Sequence, residues 1–474
     1  MKKIVFIVLL SVSRAFLLQG QTDALRHFLG SAELNQANVG VYMKNLSNGD
    51  VLADYRSEHV IPPASTQKIL TSATALCVLG ADFRFSTFLE TDAKIENGVL
   101  KGNLYVRGTG DPTLGSQKIG DQMFLYKWVQ ALRRNGIKKI EGSIIADASF
   151  FDGDAINPQW IFEDIGNYYA PGIFALPYLD NTMNVQLRSA AIGSVAEVVK
   201  TLPEVEGLQF ENHIRCTEIT YDGAYVHGLP YQNVRYLTGS VPSNRGVFGV
   251  KGDIPNPPLL LAKHFTNRLR ESGIEVTEEA SYMTETDGKQ KQLIYEHLSE
   301  PLSEILKEVN QNSNNLFAEQ LFRYLGSKIA IPCTIQNSVV TMQNCWRNRG
   351  VVLNKNYIQD GCGLAPQDAV SAQTLVQILA YMQRCKDKDV FVASLPVAGE
   401  SGTLKGFLSK TQLQGKVAAK SGTTSRIKSY AGYITLKDGS TVAFAIIVNN
   451  ANCKARRVQT LIEQYLLEEV GSVV

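Results

Sequence analysis

The sequence predicts an α/β protein: an antiparallel sheet with helices, built from both ends of the chain, with a β-rich region inserted between them. Three observations carry that expectation. Strand–turn–strand patterns stand near both termini, a helical segment follows each, and a long turn-rich stretch of short alternating segments fills the middle.

Taken in order, Met1-Lys2-Lys3 and the apolar run IVFIVLLSV that follows have the pattern of a secretory signal peptide over residues 1–21, cleaved near Gly20 or Gln21. The mature chain is therefore expected in the periplasm. No Cys follows the apolar run to carry a lipid, and no later stretch approaches the roughly 20 apolar residues of a transmembrane anchor. NVGVYMKNL and DVLADYR flank Ser47-Asn48-Gly49-Asp50 and read as a hairpin. Pro62-Pro63 then stops the strand, and a buried helix is predicted from Ser65 to Leu79, closed by Gly80. Residues 91–299 read as the β-rich insertion, in two subdomains, leaving 22–90 and 300–474 as one discontinuous domain. Within it Gly108-Thr109-Gly110-Asp111-Pro112 lacks the ending of a phosphate loop and reads as a tight structural turn. Helical periodicity returns in EPLSEILKEVN and NNLFAEQLFRYLG. SYAGYITL and STVAFAIIV then flank Lys437-Asp438-Gly439 as a second hairpin, and an amphipathic helix at about 455–469 is expected to dock on the sheet.

Composition narrows the function. With 44% hydrophobic and 19% charged residues the chain is an ordinary globular protein, and 47 Lys+Arg against 45 Asp+Glu leave a charge of +2, too little to make nucleic acid or an anionic membrane its main partner. Seven Cys is an odd count without a CxxC pair, and the six His are scattered without HExxH, so no metal site is expected.

Three short motifs carry chemistry. A serine hydroxyl needs a base, and a lysine serves if burial or nearby cations lower its pKa. Ser65-Thr66-Gln67-Lys68 supplies both on one face of a helix start, with an apolar run behind to restrict water. The motif alone is weak, since Ser425-Arg426-Ile427-Lys428 matches it by chance on a predicted strand. Ser313-Asn314-Asn315 precedes a helix; it reads as an N-cap, or as a loop serine relaying a proton with Asn315 donating to a carbonyl. Lys420-Ser421-Gly422-Thr423 leads into the second hairpin, its Lys and hydroxyls suited to a carboxylate and its glycine to a peptide lying close against the strand.

Together the three reproduce the S-x-x-K, S-x-N, K-[ST]-G order of penicillin-binding proteins and serine β-lactamases. Ser65 and Ser313 stand more than half the chain apart, which resembles the low-molecular-mass class C penicillin-binding proteins, the D-alanyl-D-alanine carboxypeptidase/endopeptidase family. RGTGDPTL, GSIIADASFFDG, DGCGLAP and LKGFL…GKVAAKSGT resemble family landmarks too. The resemblance implies a penicillin-binding/β-lactamase-like transpeptidase domain that is a cofactor-free serine-type D-Ala-D-Ala carboxypeptidase, acting on peptidoglycan stem peptides, with β-lactams as covalent inhibitors. It implies that Ser65 is acylated and Lys68 is its base, that Ser313 and Lys420 shuttle protons or set the field on the leaving amine, and that Asn315 holds the acyl-side amide. Ser421 and Thr423 would hold the terminal carboxylate, beside Gly422, and the amides of Ser65 and Thr423 would form the oxyanion hole. Cys362 stands in DGCGLAP where the family usually has Ser and is expected to be packed and inert. Trp160, Asp164 and Tyr169 would line a pocket for a cationic diaminopimelate end, or belong to an ordinary polar loop. The rival readings are a β-lactamase, against which the long insertion argues, and a penicillin-binding sensor without turnover, against which the intact motifs argue.

Overall fold

The computed structural model describes residues 22–474, so the leader expected over 1–21 lies outside the described residues. The hairpins from the two ends of the chain share one sheet. Its five antiparallel strands run in the order Val51–Tyr55, Asn38–Asn45, Thr441–Asn449, Ile427–Thr435, Val417–Thr423. Thr441–Asn449 is apolar almost throughout because both of its faces are covered. Successive side chains of a strand point to opposite faces. Accordingly Ala443, Ala445 and Ile447 enter the core shared with helices Gln67–Leu79, Leu302–Gln311, Asn315–Leu325 and Ala372–Met382, while Val442, Phe444, Ile446 and Val448 enter a second core on the other side. That second core is closed by Asp23–Leu29 and Ala455–Val470, where Tyr465 stacks on Phe28 at 5.1 Å. Val458, Leu461, Ile462 and Leu466 are buried there, at about 1.5–3 kcal/mol apiece, which is what docks the amphipathic terminal helix.

A different sheet opens at Ser86. Strand Ser86–Thr91 pairs with Leu104–Gly108 and with Gln292–Leu298, in the order Ser281–Met283, Ile144–Asp147, Leu104–Gly108, Ser86–Thr91, Gln292–Leu298. Strand Ser86–Thr91, ahead of the boundary expected at residue 91, thus pairs with strands of the middle region and not with the sheet built from the chain ends. The insertion is also less purely β than expected. Helices Phe124–Arg134 and Pro257–Glu271 pack on this sheet, with Trp128 edge-on to Phe265 at 5.2 Å. Their signals lie among turns. Phe124, Trp128, Val129 and Leu132 recur at helical spacing, and Asn256 caps Leu259 N ahead of Pro257 in the first turn. A short sheet joins Ile95–Glu96, Val99–Leu100, Lys139–Ile140 and Glu275–Val276, and the remainder forms two more sheets, Glu197–Leu202 with Thr182–Ser189 and Gly246–Asp253, and Gln209–Asn212 with Val234–Pro242, Arg215–Thr217 and Gly223–His227. A buried ion pair, Arg235 Nε to Asp253 Oδ1 at 2.7 Å, ties the two together.

Within the insertion, the Gly108–Pro112 turn packs against Ala175, in the segment that runs on from Asp164 and Tyr169 at the border of the site described below. A Cβ at Gly108 would lie 2.2 Å from the Ala175 carbonyl oxygen, and the amide of Gly110 donates to that same oxygen at 2.6 Å. Asp111 Oδ1 accepts from the amide and hydroxyl of Thr113 at 2.8 and 2.7 Å, which shapes the turn.

Candidate active site

The chain reaches the site through Pro62 and Pro63, which force a tight entry. Ala64 takes a left-handed φ of 48°, Ala64–Thr66 is a 3-10 turn, and the α-helix starts at Gln67 instead of Ser65. Ser65 therefore sits on the turn, where its hydroxyl faces a cavity of about 600 Å³. One turn later Lys68 points back beneath it, fully buried. Its Nζ lies 3.0 Å from Ser65 Oγ, 2.7 Å from Asn315 Oδ1 and 2.8 Å from the carbonyl oxygen of Cys362, which accounts for every direction a tetrahedral amine can use. Burial pushes the Lys68 pKa below its ordinary value; the Cys362, Asp360, Glu319 and Asp368 side chains oppose that shift.

Ser313 stands between helices Leu302–Gln311 and Asn315–Leu325 with φ 57°, a left-handed conformation that aims its hydroxyl away from the helix it precedes. The N-cap is Asn314, whose side chain accepts from Phe317 N, so the capping role belongs to Asn314 and leaves Ser313 and Asn315 for the site. Asn315 is held at both ends: Oδ1 accepts from Lys68, and Nδ2 donates to the Tyr169 carbonyl at 2.8 Å.

Lys420, also fully buried, donates to Ser313 Oγ at 2.9 Å and to the Ser421 carbonyl at 2.7 Å. Burial, then the nearby Lys68 and Lys428, hold its pKa well below the ordinary lysine range. Gly422 is required here by the protein itself. A Cβ at this position would lie 2.3 Å from Ser429 Oγ, 2.8 Å from the Pro63 carbonyl and 3.0 Å from the Ser65 amide, so only glycine lets strand Val417–Thr423 press against the Ala64–Thr66 turn. That contact sets the amides of Ser65 and Thr423 on adjoining elements along one cavity. Ser421 departs from expectation. Its side chain is not among those lining the cavity: it is buried and donates to Thr403 Oγ1 at 2.8 Å. Thr423 Oγ1 does line the cavity, and it accepts from Lys428 Nζ at 2.9 Å.

Trp160 is likewise not a lining residue. It is buried, with Nε1 donating to Asp360 Oδ2 at 2.9 Å. Asp164 and Tyr169 do face the cavity and bond to each other at 3.0 Å. A second cavity of about 540 Å³ lies across the Ser313–Asn315 turn, beside Tyr168, Lys118 and Lys251, away from the Ser65–Lys68 pair.

Two buried lysines on two serines around one cavity is an arrangement that comparison with known proteins makes specific. The model of the D-Ala-D-Ala carboxypeptidase 3 (S13) family matches residues 21–467. The chain belongs to this family. As an S13 member it is a serine-type D-Ala-D-Ala carboxypeptidase, a penicillin-binding hydrolase of peptidoglycan. It is 29% identical to D-alanyl-D-alanine carboxypeptidase DacB of Haemophilus influenzae, over 87% of this chain and 85% of that one. It is also 29% identical to the D-alanyl-D-alanine carboxypeptidase of Actinomadura sp. strain R39, over 92% and 82%. The crystal structure of penicillin binding protein 4 (dacB) from Haemophilus influenzae superposes with a TM-score of 0.82 at 26% identity, covering 95% of this chain and 99% of that one. The same protein complexed with a β-lactam superposes with 0.78 at 25% identity.

In this S13 chain one support of the site had no legible role in the sequence. The Asp360 carboxylate accepts from the amides of Cys362, Gly363, Leu364 and Ala365 at 2.6–3.0 Å, as well as from Trp160. That folds DGCGLAP into a tight loop, on which the Cys362 carbonyl meets Lys68 and Gly363, φ 82°, fits against Ala64, where a Cβ would be 1.9 Å from the carbonyl oxygen. The Cys362 thiol is fully buried, with its pKa raised well above normal by burial and by Asp360 and Glu319. The residue thus serves through its backbone. Glu319, buried beneath the loop, accepts from Gly361 N at 2.7 Å, and burial and Asp360 push its pKa up to about 8. An Asp-Gly-x-Gly string hints at a turn, but nothing local tells that its carbonyl faces a lysine.

Proposed function

We propose that this carboxypeptidase removes the terminal D-alanine of peptidoglycan stem peptides through an ester on Ser65. The proposal extends to the D-Ala–diaminopimelate cross-link, whose cleavage breaks the same kind of D-alanyl amide, and to action in the periplasm, which the charged-then-apolar leader pattern supports. No described helix is long and apolar enough to cross a membrane.

The observation that carries the reading is the 3.0 Å contact of Lys68 Nζ with Ser65 Oγ, with the amine buried and its other neighbours both acceptors. A neutral Lys68 donates two N–H bonds, to Asn315 and the Cys362 carbonyl, and its lone pair is left for the Ser65 proton. Ser65 Oγ attacks the scissile carbonyl carbon as Lys68 takes that proton. The oxyanion is received by the amides of Ser65 and Thr423, donors typically worth about 3 kcal/mol each. Collapse breaks the C–N bond, and the leaving amine takes a proton from Ser313 Oγ, which Lys420 at 2.9 Å replaces. Water then adds to the ester as the now neutral Lys420 takes its proton through Ser313, and Lys68 returns the proton it holds to Ser65 Oγ, which restores every group. For the terminal carboxylate the reading assigns Thr423 rather than Ser421: Lys428 can only donate to Thr423 Oγ1, so the hydroxyl proton is available to the cavity, and Arg426 supplies charge on the rim. A β-lactam acylates the same oxygen.

The test is to incubate wild type and Ser65→Ala with a pentapeptide muropeptide and with a fluorescent penicillin, following D-alanine release and covalent mass. D-alanine release and a single adduct on Ser65, both absent in the variant, are expected. Labelling of the variant at another residue overturns the assignment.

A further inference from the structure

A thin wall separates the cavity of Ser65 from the second one of about 540 Å³. Tyr169, Ser313 and Asn315 face the first, while Tyr168 and Asn314, their neighbours in the chain, face the second. The wall is pinned where Asn315 Nδ2 donates to the Tyr169 carbonyl at 2.8 Å. A substrate that extends past Ser313 therefore meets the second cavity next. Its far side belongs to the insertion, and a junction of this kind is where ligand sites tend to form. Leu202, Asn184 and Lys251 make one row across three strands, with Asn184 the register partner of both others, and all three line the cavity.

The rim beside that row is a strained turn. Leu179, Asp180 and Asn181 take φ of 55°, 57° and 52° in succession, a left-handed run that residues other than glycine seldom make, and one that persists only where its surroundings hold it. Asn181 accepts from Tyr178 N at 2.9 Å and donates to the Gly172 carbonyl at 2.8 Å, and Asp180 accepts from Ser116 Oγ at 2.7 Å and from Gln117 N at 3.4 Å. The one carboxylate in the lining is thus engaged in the turn, whereas two ammonium groups face the cavity. Lys118 lies 3.5 Å from Glu308, a carboxylate that Asn312 and Asn314 also bond at 2.6 and 3.0 Å. Lys251 is exposed, 5.9 Å from the centre of the Tyr168 ring, and pairs with no carboxylate among the described residues. The cavity therefore offers an anion one free cation, a second beside it, and apolar wall from Leu202 and Leu316.

We propose that this second cavity binds the leaving arm of a cross-linked stem peptide, an acidic peptide whose far carboxylate meets Lys251, with Lys118 beside it. The inference rests on the cross-link reading above. Ser313 protonates the leaving amine, so the arm that departs with that amine runs over the Ser313–Asn315 turn. Diaminopimelate has a carboxyl at each end of an aliphatic chain. One stands beside the scissile amide, at Thr423, and the other is carried away from it along the apolar wall. A terminal D-alanine stops at the first carboxylate and does not reach the cavity. The second cavity is thus used in cutting a cross-link and idle in the release of D-alanine.

A sugar-free cross-linked peptide dimer and a pentapeptide are given to the full chain, to Lys251→Glu and to Lys251→Arg, and the release of monomer and of D-alanine is followed. Lys251→Glu is expected to raise KM for the dimer about 10-fold at unchanged kcat, with Lys251→Arg close to wild type. D-alanine release from the pentapeptide stays within about twofold in both, which also shows that the variants are folded. A dimer KM unmoved by Lys251→Glu, or an equal loss on both substrates, overturns the proposal. So does a dependence on Lys251 that appears only when the dimer carries its disaccharide, which would make the cavity a glycan site. Wild type that releases D-alanine but leaves the dimer intact defeats the cross-link reading itself. Calorimetry of the dimer on Ser65→Ala, with and without Lys251→Glu, then decides the cavity separately: a Kd raised about 10-fold by Lys251→Glu supports it, and an equal Kd or no binding overturns it.

Discussion

Ser65–Lys68 and Ser425–Lys428 spell the same four-residue pattern in two regions of the molecule, and their fates diverge with the backbone. On the turn and helix at 65–68, residues three apart share a face, and amine and hydroxyl meet at 3.0 Å. At 425–428 the chain enters strand Ile427–Thr435, where residues three apart point to opposite sides. Lys428 turns to Thr423 Oγ1, and Ser425 is left exposed on the cavity rim. Burial depresses both lysines, Lys428 to about 8. A lowered pKa is therefore shared by both regions, and only geometry separates Lys68, which meets the hydroxyl of its own motif, from Lys428, which does not.

That contrast is broken most sharply by removing each amine. Lys68→Met is expected to slow acylation by penicillin by about 10³-fold or more, and Lys428→Met by about 10-fold or less, in stopped-flow or gel-based labelling. Equal losses would mean that the two lysines act alike. Next in size is Gly422→Ala, which drives a methyl into the Ser65 turn. A displacement there of about 1 Å should cost on the order of 10²-fold in kcat/KM, with far less change in Tm; a Tm collapse would instead show that the glycine serves folding.

The pH profile sharpens the comparison further. The reactive form of Lys68 is the neutral amine, and burial lowers its pKa, so acylation should rise with pH through that lowered value and reach its plateau below the range of a free lysine. An acid limb as high as that of an exposed amine would contradict the buried geometry. Thr423→Val should cost about 10-fold on a substrate with a free terminal carboxylate and little on its amide. The smallest expected effect is that of Ser425→Ala, within about twofold of wild type in both D-alanine release and penicillin labelling.

Much of this was legible in the residues. The two hairpins, the apolar helix after Pro62-Pro63 and the docked terminal helix follow from alternation, turn chemistry and helical period, all of them local. Helices Phe124–Arg134 and Pro257–Glu271 carry proper signals too, but turn-rich neighbours outweigh them. Ser421 shows the limit of motif reading. Its hydroxyl suits a carboxylate and shares a strand face with Thr423, yet it is buried against Thr403, while Thr423 Oγ1 lines the cavity.

By itself the sequence determined which residues have the chemistry: a serine with a lysine one turn on, a second serine before a helix, a second lysine leading into the C-terminal hairpin. Only the tertiary structure decided that Lys68 and Lys420 are dry, that Gly422 brings strand and turn together, and that Asp360 bends a distant loop so that the Cys362 carbonyl meets the Lys68 amine. The reason is physical. Period and capping act over a few residues, whereas desolvation and the aim of a backbone carbonyl depend on segments hundreds of residues away that the chain brings alongside only by folding.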